Sequence, residues 1–186
     1  MEQGKEAEQA ERRGSDHGGE YLTVFLDGEA YGISILSVRE IIGMMRITPA
    51  PETSESVKGV IALRGKAIPV TDLRARFMMG HSEDTYRTSI VVVEVQSARG
   101  RVPVGVIVDA VSEVVNIRGT DIEDAPWFET PYKAHCILGT ARMAGTIMIL
   151  LDIDRVLDSE ELNLFYPPRK IGSSQRNRRH KPRPNL

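Results

Sequence analysis

His135 and Cys136 are the only point in this 186-residue chain where an imidazole and a thiol adjoin. A cysteine nucleophile needs its base within hydrogen-bond reach. Neighbours on a strand point to opposite faces, so the pair reads as a half-buried structural cysteine beside a histidine that cannot serve it. His17, His81 and His180 are scattered, and none has the helical spacing of a zinc pair. Asp72 and Asp152 could supply two carboxylates for acid–base work, but they occupy equivalent places in an internal repeat, which favours turns or caps. "LRGKAIPV" has too few glycines for a phosphate loop and runs into a strand instead of a helix N-terminus. No enzymatic activity, cofactor or metal is expected.

Two charges remain, Glu40 at the end of an apolar element and Arg64 beside Gly65 at a hairpin tip. By composition they read as solvated surface residues; by placement they are aimed outward by rigid strands. Val38, Gly59 and Val114 read by type as core or turn residues. Met44, Met45, Met78 and Met79 form two adjacent pairs, suited either to gap-filling or to an adaptable surface.

The elements that position these residues are mostly strands. "YLTVFLDGEAYGISI" is a hairpin around Asp27-Gly28. "TSIVVVEV" and "VPVGVIV" form a second, joined by a loop from Gln96 to Arg101. "GVIALRG" with "KAIPVTDL" turns at Gly65-Lys66, and "CILGTARM" with "GTIMILLDI" is its counterpart. Ser37 to Met45 and Ala110 to Ile117 fit a short helix or a strand equally. Pro69 has no N–H and belongs at an edge or bulge. "DIDRVLDSEEL" has aliphatic residues at Ile153, Val156 and Leu157 and reads as a short amphipathic helix.

The chain also states one pattern twice. Gly32, Val38, Glu40, Ile41 and Ile42 recur at the same offsets as Gly105, Val111, Glu113, Val114 and Val115, and Gly59 to Asp72 repeats the spacing of Gly139 to Asp152. Duplication predicts two similar lobes with a groove between them. Domains of about 60 residues bury only about 60% of their surface, so the lobes should share apolar surface and fold as one unit. Short strands at regular spacing favour two small barrels, with the boundary near residues 80 to 88.

Charge is unevenly spread. Residues 1–20 hold six acids and three bases, residues 166–186 hold seven bases and no acid, and the whole chain is −2, which leaves −6 for residues 21–165. Both ends read as disordered. The basic tail allows an alternative reading, a nucleic-acid-binding regulator using a barrel face and arginines, although no aromatic is present there to stack on bases. With no secretory signal, no long apolar run and a lone cysteine, a cytoplasmic location is expected.

Four blocks in order, "AYGISILSVREII", "ITPAPETSESVKGVIALRGKAIPVTDLRARF", "VGVIVDAVSEVVNI" and "LGTARMAGTIMILLDIDRVL", resemble the signature blocks of the bacterial chemotaxis coupling (CheW-like) family over residues 20 to 160. The resemblance implies a mainly β fold, two packed five-stranded β-barrels with short helices. The domain spans 20–165, with lobe one about 20–85 and lobe two about 86–160, between a disordered segment 1–19 and a basic tail 166–186. It implies a non-catalytic adaptor coupling the cytoplasmic tips of methyl-accepting chemotaxis receptors to a CheA-like histidine kinase, meeting the membrane only through receptor arrays. The receptor-binding positions carried over are Val38, Glu40, Gly59, Arg64 and Val114. For the kinase, Ile90, Val91 and Val92 form an apolar strand whose exposed edge or end is the expected contact. Ala62 stands where the family usually has asparagine, and Met78 and Met79 replace a glycine-containing turn, which points to a divergent paralogue.

Overall fold

The computed structural model describes residues 17–51, 53–80, 83–124, 134–157 and 159–168. Of the expected tails 1–19 and 166–186, residues 1–16 and 169–186 lie outside them, as do 81–82 of the expected connection. Strand β1 (Gly19–Leu26) turns into β2 (Glu29–Ser34) at Asp27 and Gly28, whose φ angles of 50° and 79° are the positive pair that a tight primed turn requires. A 3-10 turn then leads to β3 (Val38–Gly43). The hairpin β4 (Val57–Leu63) and β5 (Lys66–Asp72) is followed by a one-turn helix, α1 (Leu73–Arg76). The second copy runs β6 (Ser89–Ser97), β7 (Gly100–Val108), β8 (Ala110–Ile117), short β9 (Ile122–Glu123), β10 (Ile137–Met143), β11 (Thr146–Leu151) and α2 (Ile153–Val156). Helix α3 (Ser159–Phe165) closes the body.

The two copies exchange hairpins. One sheet has the order β8-β1-β2-β11-β10-β9 and the other β3-β6-β7-β5-β4. Thus the first hairpin completes the sheet built from second-half strands, and the second hairpin completes the sheet built from first-half strands. The join is parallel in both, β2 on β11 and β7 on β5. The sheets therefore do not follow the expected division near residues 80 to 88. Nor are they closed barrels: each is a curled, open sheet, one of six strands and one of five, packed against the other.

Symmetry extends to the irregularities. A bulge interrupts β3 between Val38 and Glu40, and β8 between its partners Val111 and Val114; another follows Val57 in β4 and Ile137 in β10. Asp72 and Asp152 cap the equivalent helices α1 and α2, each carboxylate accepting a backbone N–H, from Arg74 and Arg155 respectively. Both carboxylates are the caps that duplication favoured.

Alternation along the exchanged hairpins divides the interior into three parts. Leu22, Val24 and Leu26 of β1 and Val91, Val93 and Val95 of β6 point into a core shared by the two sheets, closed by Leu73, Phe77, Ile153, Val156 and Leu157. Tyr21 faces a smaller core under the six-stranded sheet, while Ile90 and Val92 face one under the five-stranded sheet. Each large aliphatic buried this way contributes roughly 1.5–3 kcal/mol. Because the shared cluster is the largest of the three, the two sheets form one unit, as the length argument required.

Several expectations change at this level. The segments left open between helix and strand contain β3 and β8. The turn of β4–β5 falls at Arg64-Gly65, with φ of 49° and 75°, because Leu63 pairs with Lys66. Pro69 lies on β5, which is interior, flanked by β4 and β7. It is tolerated because its partner Val60 directs both backbone groups away to Thr48, at 2.8 Å each, and the ladder to β7 begins one residue later at Val70. The closing helix is broken into α2 and α3, with Ile153, Val156 and Leu157 all buried. Met78 is 73% exposed at φ 53°, the left-handed conformation that a glycine would adopt without strain.

Candidate binding groove

Glu40 sits on β3, an end strand of its sheet, just past the bulge, with Arg39 and Ile41 exposed on either side. Arg64 sits at the tip of β4–β5, at the other end of the same sheet. The sheet curls far enough for these to meet: Arg64 Nη2 donates to Glu40 Oε2 at 2.9 Å, and Nε to Oε1 at 3.3 Å. A side-chain fork joins β3 to the β4–β5 tip across the opening, while the free edge of β4 is met by a two-bond backbone bridge from Thr48, beyond the end of β3. The Arg64 hydrogen bond holds the Glu40 carboxyl below its ordinary range, and Glu40 in turn raises Arg64. The side chains are 77% and 23% exposed, so the pair adds little to stability and mainly fixes the direction of two charges.

The second copy keeps the turn and lacks the pair. Ala144 and Gly145 take the equivalent positive φ angles of 44° and 86°, so an alanine stands where the first copy has Arg64, and Glu113 has no ion pair among the described residues. The groove is consequently a property of the five-stranded sheet. It is an opening of about 340 Å³ with Leu63 and Pro103 as half-buried walls, Ile68 and Val92 at its floor, and Arg39, Arg64 and Lys66 at its rim. Arg39 is paired with Glu94 at 2.8 Å.

The other expected receptor-facing positions fall in three different settings. Val38 is half-buried and packs against the shared core at the start of β3. Gly59 is buried, at φ 136°, and a Cβ there would run into the carbonyl of Thr48; it positions the segment laid over β4 and offers no side chain. Val114 is 45% exposed on β8, the end strand of the other sheet. Its repeat equivalent, Ile41, is also 45% exposed, beside Glu40. Ile41 is not among the expected positions, although the repeat pairs it with Val114.

Ile90, Val91 and Val92 cannot form the exposed edge expected of them. Strand β6 is paired on both sides, with β3 and with β7, and all three side chains are fully buried, the outer two in one core and Val91 in the other. A run of apolar residues here marks a strand covered on both faces.

The sequence also gave no sign of a buried ionic hub. Arg74, 5% exposed, reaches Asp72 at 2.9 Å and Asp84 and Asp109 at 3.0 Å each, joining α1, the segment before β6 and the β7–β8 junction. Its hydrogen bond to Asp72 is the main cause of a strongly raised guanidinium pKa. Nearby Arg76 donates to the Val156 carbonyl at 2.9 Å and to Glu161 at 2.8 Å, tying α1 to α2 and α3. Cys136 is fully buried and its thiol donates to the Arg155 carbonyl at 3.4 Å, whereas His135 is exposed. Among the described residues no helix is long and apolar enough to cross a membrane.

Two exchanged, curled sheets with a charge-rimmed groove on one of them define a duplicated β module. The profile of the CheW-like domain matches residues 20–161, and the chain belongs to that family. It is 34% identical over 151 residues to a chemotaxis protein CheW of Klebsiella aerogenes, covering 81% of this chain and 89% of that one. It is 36% identical over 146 residues to a chemotaxis protein CheW of Rhizobium meliloti, covering 78% and 92%. Among solved structures, the scaffolding protein TtCheW of Thermoanaerobacter tengcongensis superimposes with a TM-score of 0.68 at 32% identity, covering 77% of this chain and 95% of that one.

Proposed function

We propose that this chain is a non-catalytic adaptor of chemotaxis signal transduction, working in the cytoplasm at receptor arrays. One surface holds the tips of methyl-accepting chemotaxis receptors and another holds a CheA-type histidine kinase. The observation that carries the receptor half is the Glu40–Arg64 fork, which holds two opposite charges in fixed directions over an apolar opening. A helix face laid there gains contact area from Ile41 and the groove walls and register from the charges. Val38 shapes the start of that strand, Gly59 positions the Thr48 segment, and Val114 extends the surface on the other sheet. Because β6 is interior, the kinase surface is sought elsewhere, on exposed residues away from the groove.

The test is a three-component titration of the full chain with receptor-tip hairpin and kinase regulatory domain. Both partners should bind together, and Arg64→Glu should weaken the receptor arm by about tenfold while the kinase arm and the melting temperature stay near wild type. Mutual exclusion of the two partners, or an unaltered receptor affinity in Arg64→Glu, would count against the bridging role.

A further inference from the structure

The groove carries more cationic charge than its ion pairs use. Residues 21–165 are acidic overall, at −6, yet the rim of this one opening has Arg39, Arg64 and Lys66. Glu94 answers Arg39 and Glu40 answers Arg64. Lys66, exposed at the first position of β5, has no carboxylate within ion-pair reach among the described residues. Below it lies an apolar floor of Ile68 and Val92, with Leu63 half-buried at the wall. A volume of about 340 Å³ is at the small end of ligand sites, roughly 300–1,000 Å³; it suits one or two side chains and not the body of a helix.

We infer that this opening is an anchor pocket for the partner helix: it receives one apolar side chain, and Lys66 receives a carboxylate from the same helix face, three or four positions along. This rests on the receptor-coupling reading and names the chemistry the receptor tip must present. Helix-in-groove recognition uses such i, i+3, i+4 anchors. Because every other rim charge is already neutralised, the unpaired cation selects among tips by their acidic residues, and it does so more strongly at low ionic strength.

The experiment titrates the full chain with purified chemoreceptor-tip hairpin at two salt concentrations, with circular dichroism melts as a check on folding. Lys66→Glu should weaken binding about tenfold, more at low salt, and Leu63→Ala should weaken it several-fold. One acidic-to-lysine change on the tip should restore affinity to Lys66→Glu. Arg142→Glu, on the six-stranded sheet, makes the same change in net charge and should leave binding within twofold. If wild type binds the tip but Lys66→Glu and Leu63→Ala do so equally well, or Arg142→Glu is as harmful as Lys66→Glu, the pocket assignment is overturned while receptor coupling stands. If wild type fails to bind the tip at all, both fall.

Discussion

The carbonyl of Thr48 occupies the space that a side chain on Gly59 would need. Thr48 is held there by its paired backbone bonds to Val60, 2.8 Å in each direction, so the segment before β4 shields the outer edge of that strand. Gly59 therefore acts through the backbone it allows to approach, and offers no side chain of its own.

Gly59→Ala should destabilise the protein by about 3 kcal/mol, combining a disfavoured positive φ with displacement of Thr48. Chemical denaturation measures the loss, and hydrogen exchange should show the Thr48 and Val60 amides losing protection first. A variant as stable as wild type would mean that the segment relaxes freely.

Arg74→Met should be more damaging, about 3–5 kcal/mol, because it leaves Asp72 and Asp109 facing each other in a largely buried setting with no cation between them. Arg74→Lys should recover only part, since one ammonium cannot reproduce a guanidinium fork shared by three carboxylates. Equal stability of the lysine variant and wild type in urea would show that the fork geometry is dispensable.

Thr23→Val should stabilise. The Thr23 hydroxyl is buried without a hydrogen-bond partner, and valine keeps the shape while removing the unsatisfied group. The gain should be about 1 kcal/mol, which for a chain of this size raises the melting temperature by about 2–4 °C. A fall in melting temperature would show that the hydroxyl is satisfied in solution.

Burial first, and Glu29 second, raise the Tyr31 phenol well above its ordinary value; its hydroxyl donates to Glu29 at 3.1 Å. In the unfolded chain it ionises near pH 10, while in the fold it stays protonated. Its contribution is therefore complete below about pH 10 and declines as pH rises from there toward the folded value. Tyr31→Phe should flatten stability against pH above about 10 relative to wild type, read by urea denaturation between pH 8 and pH 11. An unchanged slope would place the alkaline sensitivity in Tyr21 and Tyr166, whose pKa values burial also raises.

Local pattern was readable because it is carried by neighbours in sequence. Asp27-Gly28 named its turn, the Gly32 and Gly105 repeats named two equivalent hairpins, and the twin aspartates named two caps. What was not readable depends on which strand lies beside which. Ile90 to Val92 look alike whether a strand is an exposed edge or buried on both faces, and only the pairing with β3 and β7 decides it. Arg74 sits 10 residues before Asp84 and 35 before Asp109, with no spacing rule to join them. The turn at Arg64 was missed by one residue because an arginine there must adopt a positive φ, which composition argues against. Glu40 and Arg64 both read from sequence as outward-facing charges; their meeting follows from the curl of the sheet.

Hairpin exchange sets a schedule for the nascent chain. Strand β2 is complete at Ser34, yet β11, the strand it lies parallel to, begins at Thr146. At about 5–20 residues per second, the β2 edge of the first hairpin spends on the order of ten seconds unmatched, and its other edge, on β1, waits for β8 at Ala110–Ile117. The second hairpin finds β3, β4 and β5 already made. Synthesis thus completes the groove-bearing sheet first, and the earliest strands of the protein are among the last to gain their neighbours.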